Sequence, residues 1–131
     1  MYIGIDPGRD KCGVAVLNSE GKIFFQSVIA TENLSEVTKK LSELFDIELA
    51  ILGDGTTHKS TERILKKFFS VQIVDEKHTT ELARKIYWQK NPPSGWRKFL
   101  PTSLQVPPEP VDAIVAEILV RRFLGEEIEH G

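Results

Sequence analysis

Residues 2–17, YIGIDPGRDKCGVAVL, decide how this chain folds. They predict a strand, a tight turn and a second strand. Successive strand side chains alternate between faces, so Tyr2, Gly4 and Asp6 share one face and Ile3 and Ile5 the other. Pro7-Gly8 breaks the run, and residues 12–17 resume it with small and β-branched side chains. Asp6 thus stands where a buried strand ends, a costly place for a carboxylate unless a cation meets it. Two readings fit that position: the first acid of a metal or phosphate site, or an Asp that stabilises the turn before Pro-Gly.

Downstream, Asn18-Ser19-Glu20-Gly21 predicts a turn, and residues 22–29 a third strand rich in Ile, Phe and Val. The three strands would form an antiparallel meander. Asn33 and Glu36 have capping-box spacing. Leu34, Val37, Leu41, Leu44 and Phe45 recur at helical period, which predicts a helix over 34–45. The continuously apolar run 49–53 suits a strand buried on both faces. Thr56 or Thr57 is placed to cap the next helix, whose apolar stripe is Ile64, Leu65, Phe68 and Phe69. Residues 71–74 read as a fifth strand ending at Asp75-Glu76. Thr79 or Thr80 opens a helix reaching Gln89, with Leu82, Ala83 and Ile86 inward. Residues 91–109 hold Pro92, Pro93, Pro101, Pro107 and Pro108 and read as an irregular loop. Pro110 suits the first turn of a last helix, made apolar by Val111, Ile114, Val115, Ile118, Leu119 and Phe123. Residues 126–131 read as a polar tail. The order β-β-β-α-β-α-β-α-α predicts an α/β fold: a five-stranded mixed sheet, a three-strand meander plus two parallel strands, with helices on both faces.

At 131 residues a single domain over 1–131 is expected. The apolar fraction of 40% and charged fraction of 27% are those of an ordinary globule. No apolar run reaches about 18 residues, so no membrane partner is expected. Strand-like sequence from Tyr2 leaves no room for a signal peptide. The single Cys12 fits a reducing, cytoplasmic setting and reads as a small core residue, not a nucleophile. The net charge of −2 conceals an asymmetry. Residues 57–98 hold ten Lys/Arg against four Asp/Glu, a balance of +6, and the remainder carries −8. That distribution is compatible with a polyanion held over metal-binding carboxylates, or with a solvated helix face.

Open α/β sheets place ligands beyond the carboxyl ends of their parallel strands. Asp6, Asp54 and Asp75-Glu76 follow three such ends, and Asp112 falls at the start of the last helix, where the helix dipole favours an anion. Carboxylates brought together repel, and a pKa rises unless a cation joins them. All-oxygen donors suit Mg²⁺ or Mn²⁺, and two such ions can support phosphodiester hydrolysis.

Three segments carry a family likeness: GIDPGRDKCGVAVL (4–17), VDEKHTTELARKI (74–86) and PVDAIVAEIL (110–119). In this order they resemble the YqgF family, also called RuvX. These are RNase H-like proteins described as Holliday-junction-resolvase-like and linked to maturation of the 5′ end of pre-16S ribosomal RNA. The first segment alone also resembles the phosphate-binding hairpin of sugar kinases and actin-like ATPases. The resemblance implies a nuclease, dependent on one or two Mg²⁺ or Mn²⁺ ions, in which Asp6, Glu76 and Asp112 are catalytic and metal-binding. Asp75 would support local structure. The last helix shows one acid where related resolvases have two, Lys77 stands in place of the family's Arg, and the Gly53-Asp54-Gly55-Thr56-Thr57 loop departs from the family form. Asp54 is either an extra ligand, as related resolvases imply, or a turn residue. RNA is the favoured partner through the resemblance alone, with structured DNA the other nucleic acid; a monomer and a homodimer both fit.

Lys59, Arg63, Lys66, Lys77, Arg84, Lys85, Arg97 and Lys98 are candidates to neutralise backbone phosphates. His58 and His78 flank the expected site, where exposed histidines near helix starts more often do no chemistry. Tyr87, Trp88 and Trp96 could stack on unpaired bases; packing is the first reading for Trp88. A non-catalytic nucleic-acid-binding or ribosome-assembly module on the same fold is the alternative.

Overall fold

A computed structural model describes residues 1–55, 57–92 and 110–125. The element order is β1 (Tyr2–Asp6), β2 (Lys11–Leu17), β3 (Ile23–Ala30), a 3₁₀ turn (Thr31–Asn33), α1 (Leu34–Leu44), β4 (Leu49–Gly53), α2 (His58–Leu65), β5 (Val71–Val74), α3 (Thr79–Lys90) and α4 (Asp112–Phe123). Five strands make one sheet in the order β3-β2-β1-β4-β5. β2 is antiparallel to both β1 and β3, whereas β4 runs parallel to β1 and β5 to β4. This is the mixed sheet expected from the alternation of strand and helix. Its register sets Ile5 beside Leu52 and Gly53 beside Val74, so β1, β4 and β5 finish at one end.

Side-chain alternation along β1 sorts the two layers. Ile3 and Ile5 join Cys12, Val14, Val16, Ala50 and Leu52 under α1 and α2, where Leu34, Leu41, Leu65 and Phe69 close the core. The opposite face meets α3 and α4 through Ile51, Ala15, Leu17, Ala83 and the α4 residues Val115, Ala116, Ile118, Leu119 and Val120. Fully burying a side chain such as Ile118 or Leu119 contributes about 1.5–3 kcal/mol. Every residue from Val115 to Val120 is buried, so α4 is held between the sheet and α3. Its N-terminus rests on Gly13: a Cβ there would strike the backbone of Asp112 and Ala113.

Several local expectations give way. β3 starts at Ile23, one residue later than its composition indicates. Asn33 ends a 3₁₀ turn and makes no side-chain cap bond to α1. Its φ of −96° and ψ of 0° continue the turn and deny it the extended geometry of a capping box. Thr57 precedes α2 and likewise makes no side-chain cap bond. α2 stops at Leu65, but tighter bonds from Lys67 N–H to Ile64 and Phe68 N–H to Leu65 carry Phe69 into the core. Pro110 lies ahead of α4, whose first residue is Asp112. Phe123 is 41% exposed and leans on Tyr2, ring centroids 5.9 Å apart. Cys12 is buried, as its apolar strand requires. Thr56, Pro93 and the loop up to residue 109, including Trp96, Arg97 and Lys98, and the 126–131 tail lie outside the described residues. Among the described residues no helix is long and apolar enough to cross a membrane.

Candidate active site

The finishing end of the parallel strands brings three acids together: Asp6 at the end of β1, Glu76 just past β5, and Asp112 at the start of α4. The Asp6 carboxyl lies close enough to Asp112 and Glu76 for both to act on its ionisation. Burial pushes the pKa of Asp6 up, and the charges of Glu76 and Asp112 push it further, to about 8. The Asp6 carboxyl is therefore much harder to ionise than an isolated one. The turn after β1 is held by other groups: the Thr31 hydroxyl donates to the Gly8 carbonyl at 2.8 Å, and Thr31 N–H to Asp10 at 2.9 Å.

Glu76 packs over Gly53. A Cβ on Gly53 would collide with Glu76 Oε2, so the missing side chain makes the space the carboxylate fills. Burial raises the pKa of Glu76; the Asp6 hydrogen bond opposes this, the charges of Asp54 and Asp75 reinforce it, and His58 opposes it. Oε2 is buried with no hydrogen-bond partner among the described residues, a costly state that a bound cation would relieve. The Glu76 backbone is fixed from both sides. Its N–H donates to Asp54 Oδ1 at 3.2 Å, and its carbonyl accepts the Thr79 hydroxyl and the Thr79 N–H, the latter at 3.1 Å. Asp54 thus anchors the Glu76 main chain, and Asp75 accepts Lys77 N–H at 2.8 Å in a local turn.

Asp112 is half-buried at the first position of α4, where unpaired N–H groups favour a carboxylate. Lys11 Nζ stands 3.9 Å from Asp112 Oδ2. Sequence reasoning missed Lys11. Strand parity puts it on the face of Gly13, but only the seating of α4 on Gly13 turns that into proximity to Asp112. Also missed was a polar cluster on α4: Glu117 is 5% exposed, paired with Arg121 at 2.8 Å and with Gln26 Nε2 at 2.9 Å. The i,i+4 spacing of Glu117 and Arg121 was its available signal.

The other candidates disperse. His58 Nδ1 lies 2.8 Å from the Gly55 carbonyl and donates to it. His78, at φ 65°, is exposed and pairs with Glu81 at 3.7 Å. Lys59, Arg63 and Lys66 lie on or just past α2, over one face of the sheet, with Lys66 paired to Glu62 at 3.0 Å. Lys77, Arg84 and Lys85 lie exposed before and along α3, over the other face. These six candidates therefore form two groups, not one continuous surface. Tyr87 is buried, and Trp88 packs edge-on against it at 5.2 Å.

Among the described residues no three His, Cys, Asp or Glu side chains stand at the spacing of a formed metal site. Asp6, Glu76 and Asp112 nonetheless lie close enough for the charges of the latter two to raise the pKa of Asp6. Their donor chemistry suits a hard divalent cation: oxygen atoms alone, one of them buried and unpartnered, and a carboxyl that keeps its proton near neutrality for want of positive charge.

No family model matches the chain. It is 30% identical over 94 residues to "Uncharacterized protein YdcI" of Bacillus subtilis (strain 168); the match covers 66% of this chain and 12% of the relative. The chain thus spans about an eighth of the length of the curated relative it matches. In three dimensions it is similar to T. thermophilus RuvC in complex with a Holliday junction substrate, with a TM-score of 0.55 at 14% identity over 90% of this chain and 89% of that one. A second Thermus thermophilus RuvC structure matches with a TM-score of 0.48 at 14% identity, over 95% and 94% of the two chains. At such identity the shared property is the fold, which is RNase H-like.

Proposed function

We propose that the chain is a single nuclease domain that hydrolyses phosphodiester bonds in nucleic acid with the help of divalent cations. The observation that carries this reading is the convergence of Asp6, Glu76 and Asp112 from elements far apart in sequence. The RNase H-like fold it shares with a junction-bound RuvC supports it. Asp6, Glu76 and Asp112 would hold one or two Mg²⁺ or Mn²⁺ ions, with Asp54 a further oxygen donor beside Glu76. When bound, such ions lower the pKa of a water and offset charge on a leaving oxygen. The chain's own residues supply the rest. Gly53 makes room for the Glu76 carboxylate, Asp54 holds its backbone, and Lys11 balances charge at Asp112.

RNA, specifically a ribosomal RNA precursor, is the substrate that the YqgF resemblance favours; branched DNA is the substrate that the RuvC likeness favours. Incubation with labelled RNA and with four-way DNA, in Mg²⁺ or Mn²⁺ against chelator, tests the proposal. Metal-dependent cleavage lost in Asp6→Asn is expected, and equal cleavage by the two proteins would sink the assignment.

A second reading is a nucleic-acid-binding module without turnover. It is favoured by the lack of any three His, Cys, Asp or Glu side chains at metal-ligand spacing among the described residues. Salt-sensitive binding with no cleavage in either metal would select it.

A further inference from the structure

Between the start of α3 and the end of α4 lies an open cleft of about 250 Å³, lined by His78, Glu81, Leu82, Lys85 and Arg122. It shares the sheet face of α3 and α4 and is tied directly to the acid site. Arg122 Nη1 donates to the Lys77 carbonyl at 3.0 Å, one residue past Glu76. Its other N–H groups have no partner among the described residues, and neither does the exposed Lys85 ammonium. The one acid of the cleft, Glu81, has a side chain 83% exposed and already faces His78 at 3.7 Å. Leu82 adds an apolar wall.

We propose that this cleft binds the sugar–phosphate backbone of a single strand that runs from the acid site, with a phosphate between Lys85 and Arg122 and its sugar against Leu82. The inference rests on the nuclease reading and extends it to a second contact. The acid site is crowded with carboxyl groups and repels a polyanion on its own. Cations beside it offset that repulsion and fix the strand's register. From Asp112 to Arg122 α4 rises about 15 Å, a length that a few nucleotides span.

The test is the salt dependence of binding, measured with the wild-type chain in chelator on a labelled single-stranded 12-mer, as RNA and as DNA. Each lost phosphate contact lowers the slope of log K against log salt by about 0.7 on a single strand. Lys85→Gln is expected to lower it by about that amount, and Lys85→Gln with Arg122→Gln by about twice as much. Because Arg122→Gln also removes the bond to Lys77, Arg122→Lys serves as its partner variant and should restore the slope. Lys39→Gln, on α1 across the sheet, should leave it unchanged. Wild-type binding with an unaltered slope in the double variant overturns the cleft assignment while the nuclease reading stands. A 5′-mononucleotide that displaces the 12-mer at equal concentration also overturns it, by showing a pocket for free nucleotide. Failure of the wild type to bind any strand at low salt in chelator also defeats the cleft assignment, while the nuclease reading is decided separately by cleavage in Mg²⁺ or Mn²⁺.

Discussion

At the middle of α4, Glu117 is buried, and its carboxylate meets Arg121 at 2.8 Å and Gln26 at 2.9 Å. At the N-terminus of the same helix, Asp112 stands with Asp6 and Glu76. The cation paired with it, Lys11, lies 3.9 Å away with its side chain 54% exposed. One cluster balances its charge with a hydrogen-bonded guanidinium. The other balances it with a proton that Asp6 keeps up to a pH of about 8. Burying like charges without a cation raises the energy of the folded chain. One carboxylate cluster is thus matched by a largely buried guanidinium, the other only by a half-exposed ammonium.

The largest expected effect separates the two clusters by activity. Asp6→Asn should lower metal-dependent cleavage about a thousandfold, because loss of a cation ligand removes several kcal/mol of transition-state stabilisation. The same substitution should raise the thermal midpoint in chelator, since an amide, unlike the carboxyl, need not take up a proton to be buried there. An Asp6→Asn protein that is both inactive and less stable would erase the contrast. Next, Arg121→Met should lower stability by about 3–5 kcal/mol in a denaturant titration, because it strands a buried carboxylate. Glu117→Gln with Arg121→Met should recover part of that loss.

The pH dependence has a definite sign. The ordinary value for Asp6 is 3.8 and the folded value about 8, so between them the folded chain binds a proton that the unfolded chain has released. The contribution of Asp6 is full below pH 4 and is lost as pH rises to about 8. The raised Glu76 acts in the same direction. In chelator, the midpoint advantage of Asp6→Asn over wild type should therefore grow from pH 5 to pH 8. A saturating divalent cation should close that gap, adding about 2.7 kcal/mol to the wild type at a hundred times its Kd. Gly13→Ala, which pushes the start of α4 off β2, should cost about 1–3 kcal/mol and misplace Asp112. The smallest effect belongs to Lys11→Gln. Its ion pair is half in solvent and contributes about 0.2–1 kcal/mol, best read as a reduced salt dependence of stability.

Much of the fold was legible along the chain. Alternation in β1 separates Ile3 and Ile5 from Tyr2, Gly4 and Asp6, and the two layers follow that division. Helical spacing marks the buried faces of α1, α3 and α4, except that Leu44, expected on the inner stripe of α1, is 74% exposed at the helix end. Terminal detail was less legible. Asn33 has capping-box spacing, yet a 3₁₀ turn takes its place, since a cap depends on the entering backbone angle as well as on residue type. Lys11 and the Gln26–Glu117 contact were hidden for another reason: each joins positions separated by most of the chain, and no local period records which strand a helix will cross.

By itself the sequence determined the order of elements, the mixed sheet and the placing of acids where apolar runs stop. All of these rest on local periodicity and on the cost of burying charge. Only the tertiary structure decided which acids meet, because proximity depends on helix seating. α4 settles on Gly13 and brings Asp112 to Asp6, while Gly53 leaves the hollow that Glu76 fills.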